Sequence, residues 1–389
     1  MFAPANERGV ACTYVRDPIT HRFFRLGDSA RLAAERMDGS RDIEAIAGEL
    51  SGELGVELPV EPFRALTRQL SQLGFLENGP PPPPRERVRG GPFFLVMPLV
   101  DPDRFLDRLR PLWRVLVSRP VALLIALSIA VGAAITVAMA RRGELFSFGE
   151  LGPYDLAAFY LIVSLAVAGH ELAHAAALKR FGGEVHEMGL LLLYFQPCFY
   201  CNVSDAYLLD RSRRLWVSFA GLYFELGVWG LCTLLAYRLG AEHAVGRVAM
   251  MVTAAVGLKA VLFNLNPLIK LDGYYLLVDL VQIPNLRQRA FGYLGDLLAR
   301  LFGRAPTVRP RDRRERLILL TYASLAAAFL LGLFGAIVWR LSAFVRDPQL
   351  SLSSVFLAVV GGFLLLRGLR YLYNVARGQR PAETEGGLL

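Results

Sequence analysis

Residues 155–178 read DLAAFYLIVSLAVAGHELAHAAAL. From Leu156 to Gly169 the run carries no charge. Its length suits a helix that crosses a membrane, which needs about 20 apolar residues for roughly 30 Å of hydrocarbon. Into its second half the chain places His170, Glu171 and His174. Ionisable groups at that depth are expensive and are kept where they have a task. On a helix, positions four apart share a face, so both imidazoles can reach one metal ion. A glutamate beside the first histidine can take a proton from an attacking water. Two neutral nitrogens leave room for one hard ligand and an open position.

The rest of the chain sets this span in context. Of 389 residues, 54% are hydrophobic, and the mean hydropathy is positive. That is too apolar for an ordinary soluble protein. Six spans are expected, at 120–140, 155–178, 214–237, 247–268, 316–340 and 352–373, making an all-α polytopic membrane bundle. Net charge is +9, from 43 basic and 34 acidic residues. The excess is arginine flanking the apolar runs, which the positive-inside rule and anionic lipid account for, so membrane lipid is the expected partner and nucleic acid is not. Four arginine-rich segments fall on one side of six spans, so both termini are expected to be cytoplasmic, in the cell's inner membrane. The start, MFAPANERG, has no apolar core, and no signal peptide is expected.

The fourth span ends FNLNPLIKLDGYY, residues 263–275. Asn264, Asn266 and Pro267 interrupt the helix, because proline removes a backbone donor and frees a carbonyl. Asp272 needs a partner there, and zinc is a good one. Loop charge alone puts the inner half of the second span and the inner end of the fourth at similar depth, so His170, His174 and Asp272 can share one site.

Residues 189–203, GLLLLYFQPCFYCNV, are too short to span and are cut by Pro197, and they read as a re-entrant or strand-like insertion shielded by protein. Cys198 and Cys201 are taken as small apolar residues of that strand, since one CxxC cannot complete a four-cysteine site. His186 and Glu187 are read either as groups orienting a ligand or as an exposed loop, and Asp205 as a cap or turn residue. His21 and His243 are assigned to the surface.

Upstream, residues 10–77 carry two strand-like runs (11–17 and 21–26) joined by a turn at Pro18. Three helices follow, the first stopping at Gly39 and the second capped by Ser40. Ile43, Ile46, Ala47, Leu50, Phe63, Leu66, Leu70 and Leu73 are the expected core of this small α+β, winged-helix-like domain. A Pro-rich linker begins at residue 78. Residues 93–119 read as an amphipathic segment on the inner membrane face, with Phe105 and Trp113 among arginines.

HELAH with NLNPLIKLDG resembles the paired motifs HExxH and NxxPxxxxDG of site-2 proteases, a family of intramembrane zinc metallopeptidases. The resemblance covers about residues 155–280. It implies that His170, His174 and Asp272 bind one zinc ion, that Glu171 is catalytic, and that Asn264, Asn266 and Pro267 hold substrate. The run RFFRLGDSARLAAERMDGSRDIEAIAGEL followed by LTRQLSQLGFL resembles a PqqD-like domain, which implies binding of a precursor leader peptide by strand addition. Together they resemble a subgroup of site-2 proteases associated with peptide maturation or export complexes. One departure stands out: Gly221 is followed four positions later by Glu225, where the family carries a small residue or asparagine. Glu225 pairs with Lys259 or Arg247, or stays protonated by desolvation.

The expected organisation is therefore 1–77 peptide-binding domain, 78–119 linker and interfacial segment, 120–373 transmembrane zinc endopeptidase with a re-entrant strand, and 374–389 tail. A second reading is a non-proteolytic membrane adaptor that passes a precursor peptide to an exporter. Glu171 argues against it, because an adaptor needs metal at most for structure.

Overall fold

In a computed structural model of the chain, the described residues are 2–7, 10–16, 23–57, 59–72, 76, 88–91, 94–143, 150–193, 196–300 and 309–346. The chain forms two compact units, one of residues 1–89, 96–191 and 198–257, the other of residues 90–95, 192–197 and 258–389.

The first unit opens with an antiparallel sheet of β1 (Phe2–Glu7), β2 (Val10–Arg16) and β3 (Phe23–Gly27), in that order. That is one strand more than the apolar pattern indicates. Three helices follow: α1 (Asp28–Glu35), α2 (Ile43–Leu54) and α3 (Val60–Gln72). Ile46, Ala47, Leu50 and Phe63 bury their side chains with Ala33, as their helical spacing requires. The cap of α2 is Asp42 and not Ser40. The Asp42 carboxylate accepts from the Ala45 amide at 2.7 Å, while Ser40 donates its amide and hydroxyl to Asp38. Both residue types cap well, and the apolar face beginning at Ile43 decides between them. The Pro18 turn, His21 and Leu73 lie outside the described residues.

A second sheet has the order β4 (Arg89–Gly91), β5 (Phe94–Val100), β6 (Met188–Leu193) and β7 (Gln196–Cys201). The expected strand character of 189–203 thus takes the form of β6 and β7. The neighbour of β6 is β5, from a segment whose sequence reads as membrane-surface helix. Gly189 permits the pairing, because a Cβ there would collide with the Met97 carbonyl and lie 2.8 Å from the Leu99 nitrogen.

Two short helices come next, α4 (Asp103–Arg108) and α5 (Arg110–Leu116). Phe105 is 59% exposed, as an interfacial aromatic should be, but Trp113 is only 7% exposed. Its indole donates to the Leu106 carbonyl at 2.9 Å, and its ring joins a core with Ala175, Ala176, Ala177 and Leu178. The alanine run after HELAH lets this layer come close. The same layer is pinned by Lys179, which sits between Asp103 at 2.7 Å and Asp107 at 2.9 Å. Asp103 also accepts from the Val185 amide at 2.8 Å. Lys179→Met is expected to lower stability by about 1–3 kcal/mol. That is less than a fully buried pair is worth, because Asp107 is half exposed. Thermal unfolding in detergent reads it, and an unchanged midpoint would refute the pinning role.

Among the described residues, five helices are long and apolar enough to cross a membrane, the mark of a multi-pass membrane protein. Four are α6 (Arg119–Arg142), α7 (Pro153–Arg180), α8 (Arg211–Leu239) and α9 (Ala244–Lys259), the last extended by a π-helical turn, Ala260–Asn264. After the shorter α10 (Asp272–Val281) and α11 (Leu286–Arg300) comes the fifth, α12 (Arg313–Arg346). The fourth span ends at Asn264 rather than 268, because the π turn and Pro267 stop it. The expected sixth span, 352–373, lies outside the described residues, as do the tail 374–389 and the proline run.

Glycine lets α8 approach both neighbours, the usual device where helices pack in lipid. A Cβ on Gly132 of α6 would lie 2.7 Å from the Gly230 Cα. A Cβ on Gly169 of α7 would overlap the Phe224 ring. At the start of α7, Asp155 accepts from the Gly152 amide and holds Arg247 of α9 through two nitrogens, at 3.1 and 3.3 Å.

Candidate metal centre

The HELAH residues lie in the second half of α7, and α8 runs beside them. His170 and His174 are 5% and 6% exposed. Their Nε2 atoms stand 3.1 Å apart, the rings edge to face. His174 Nδ1 is 2.7 Å from the Val217 carbonyl oxygen. A carbonyl only accepts, so Nδ1 carries the proton and Nε2 presents a lone pair. His170 Nδ1 is 3.3 Å from Glu225 Oε1. Glu225 is 1% exposed, inside a helix long enough to span.

Between these two acceptors α8 carries Gly221. A Cβ there would overlap His174 Nε2 and stand 2.6 Å from both His170 Nε2 and Cε1. Only glycine lets the helix backbone pass the two imidazoles. Glu171 is part-exposed between them in sequence. Cys201 of β7 is near enough to Glu171 to feel its charge, and burial first, then that carboxylate, push the thiol up, so it stays neutral. Cys198 and Cys201 are not joined in a disulfide. Three residues apart on a strand, they point to opposite faces.

In the second unit the NLNP stretch forms a π turn in which the Leu265 amide reaches the Ala260 carbonyl at 2.7 Å. Such turns gather at functional sites. Asn264 is buried, and Pro267 is part-exposed. Asn266 uses both ends of its amide on the turn itself, donating to the Leu262 carbonyl at 3.2 Å and accepting from the Leu268 amide at 2.9 Å. Asp272 opens α10. Gly273 follows because a Cβ there would lie 2.6 Å from the Leu265 carbonyl and 2.7 Å from that of Asn264. Arg287 braces the turn by donating to the Leu268 carbonyl at 3.0 Å.

His170 and His174 each offer one ring nitrogen to a metal ion, and Asp272, at the start of α10 in the second unit, offers a carboxylate oxygen. The donor set fits zinc. Two nitrogens bound to one tetrahedral zinc at about 2.0–2.1 Å stand about 3.3 Å apart, and the 3.1 Å separation of the two Nε2 atoms is close to that. Two facing lone pairs repel unless a cation or proton lies between them.

The other residues of chemical interest have local partners. His186 faces Glu184 at 3.0 Å and Asp101 at 3.7 Å. Glu187 is buried beside Tyr200 and Asn202, both at 3.5 Å. Asp205 lies in a 3-10 turn, Ser204–Leu208, and accepts from the Glu184 amide at 3.0 Å, the turn role its sequence indicates. His243 is exposed. Arg247 is held by Asp155, which removes it as the partner of Glu225. The sequence reading missed Gly221 as a site residue and the contact of Glu225 with His170. Their spacing of four on one helix was the available signal.

The fold thus defines a helical multi-pass membrane protein with a buried histidine pair in one of its apolar helices. Over 125 residues the chain is 26% identical to a Bacillus subtilis (strain 168) protein whose name is "Putative peptide zinc metalloprotease protein YydH". The match covers 32% of this chain and 47% of that protein, so the chain spans about half the length of the curated relative it matches. The similarity points to a zinc metallopeptidase-like protein. No family model matches the chain, and no solved structure does.

Proposed function

We propose that this protein is an intramembrane zinc endopeptidase of site-2 protease type, holding one zinc ion through His170, His174 and Asp272. The observation that carries the reading is the pair of Nε2 atoms 3.1 Å apart in a buried, apolar setting, with Glu171 next in sequence to the first. Bound zinc supplies Lewis acidity, which acidifies water and polarises a carbonyl. Glu171 takes the proton from the attacking water and returns it to the leaving amine. The peptide group must be unwound to be attacked, and an added strand beside β7 is a suitable way to present it. Asn264 and Pro267 are proposed to hold the substrate backbone.

The proposed setting is the inner membrane with both termini cytoplasmic. Residues 1–77 would act as a PqqD-like domain that captures a precursor leader, in peptide maturation or beside an export complex. The helices α1 to α3 after a small sheet support that reading.

Metal content of the detergent-purified protein tests the proposal. The parent is expected to carry about one zinc per chain, as a three-ligand site with an open position does. His174→Ala and Asp272→Ala are each expected to lose it. Retention of zinc in both variants would remove these residues from the site. A folded parent that takes up no zinc would leave the adaptor reading as the better account.

A further inference from the structure

The α8 face toward the histidine pair has a regular pattern. Val217, Gly221 and Glu225 are spaced i, i+4, i+8, so they form one stripe along the helix. His170 and His174 are spaced i, i+4 on the antiparallel α7. The Val217 carbonyl meets His174 Nδ1 at 2.7 Å, the Glu225 carboxyl oxygen meets His170 Nδ1 at 3.3 Å, and Gly221 leaves the gap the rings fill. Each imidazole therefore has an acceptor at its far nitrogen, supplied by the same helix.

We infer that Glu225 is a positioning residue of the metal centre: with the Val217 carbonyl it faces the Nδ1 side of the histidine pair, so that both rings turn Nε2 toward the ion when it is bound. This inference rests on the zinc reading above. The physical reason is general. An imidazole binds metal through one nitrogen, and the hydrogen bond at the other fixes which one and how the ring is turned. The His174 contact is already at hydrogen-bond length. The His170 contact, at 3.3 Å, is longer than the usual 2.7–3.2 Å and is an ion-pair distance rather than a formed hydrogen bond. A carboxylate buried in a spanning helix is costly, and a protonated imidazole nitrogen is a partner that repays it. The same contact explains why this chain carries a glutamate where the resembled family has a small residue or asparagine.

Two measurements test it. The first is the histidine tautomer in the zinc-loaded parent, read by long-range ¹H–¹⁵N correlation of ¹⁵N-histidine-labelled protein in micelles. Only five histidines contribute. The expected result is His170 and His174 both as Nδ1–H. A His170 carrying its proton on Nε2 would overturn the inference without any variant being made. The second is zinc affinity by competition with a chromophoric chelator. Glu225→Leu is expected to weaken binding by about 10- to 100-fold, and Glu225→Gln, which keeps an acceptor oxygen, to restore most of it. Equal affinity in Glu225→Leu and parent would overturn the positioning role while leaving the zinc site intact. A parent with no zinc affinity would overturn both.

Discussion

Gly221→Ala is expected to abolish zinc binding while leaving the protein folded in the membrane. The added Cβ would overlap His174 Nε2 and crowd His170. The His174 ring cannot retreat, because its Nδ1 is held 2.7 Å from the Val217 carbonyl of α8, and both rings are buried. Helix propensity favours alanine by about 1 kcal/mol, and overpacking costs about 1–3 kcal/mol. The net change in stability is therefore small, while the metal donors are displaced by a large part of a bond length. Zinc content by elemental analysis and unfolding in the same micelles separate the two effects. A variant that keeps stoichiometric zinc would show that α8 does not lie against the donors.

Glu171→Gln is expected to keep the zinc and lose the reaction. The amide occupies the same space but cannot take a proton, and general acid–base groups of this kind contribute on the order of 10²- to 10⁴-fold in rate. The readout is the mass of a candidate peptide precursor co-expressed with parent or variant. Shortening by the parent and not by Glu171→Gln is the expected outcome. Equal shortening by both would end the proposed role of this residue. Zinc content measured on the same samples separates this variant from Gly221→Ala, in which the metal goes as well.

The two variants mark two kinds of residue in one site. Glu171 is legible because its neighbours in sequence announce it: a carboxylate between two histidines inside an apolar run has few other reasons to be there. Gly221 is not legible in that way. A glycine in a membrane helix has many uses, and what excludes a Cβ here comes from residues about 50 positions earlier in the chain. Glu225 lies between the cases. Its burial in a span marks it as unusual, but nothing local chooses among Lys259, Arg247 and a neutral carboxyl, and nothing local names His170, whose Nδ1 lies 3.3 Å from it. The choice follows from Arg247 being held by Asp155 at the far end of α7.

The sequence by itself determined five of the six expected spans, the histidine pair, the broken fourth helix, and the strand character of 189–203. Each of these is a local matter of apolar length, helical period or a helix-breaking residue, and local physics acts on neighbours in the chain. The tertiary structure decided that β5 pairs with β6, that Trp113 turns inward onto an alanine run, that Asp42 caps α2, and that α8 supplies an acceptor to each imidazole. These depend on which surfaces meet. Backbone groups must find partners wherever they are buried, and the identity of the partner is set by packing between segments far apart in sequence.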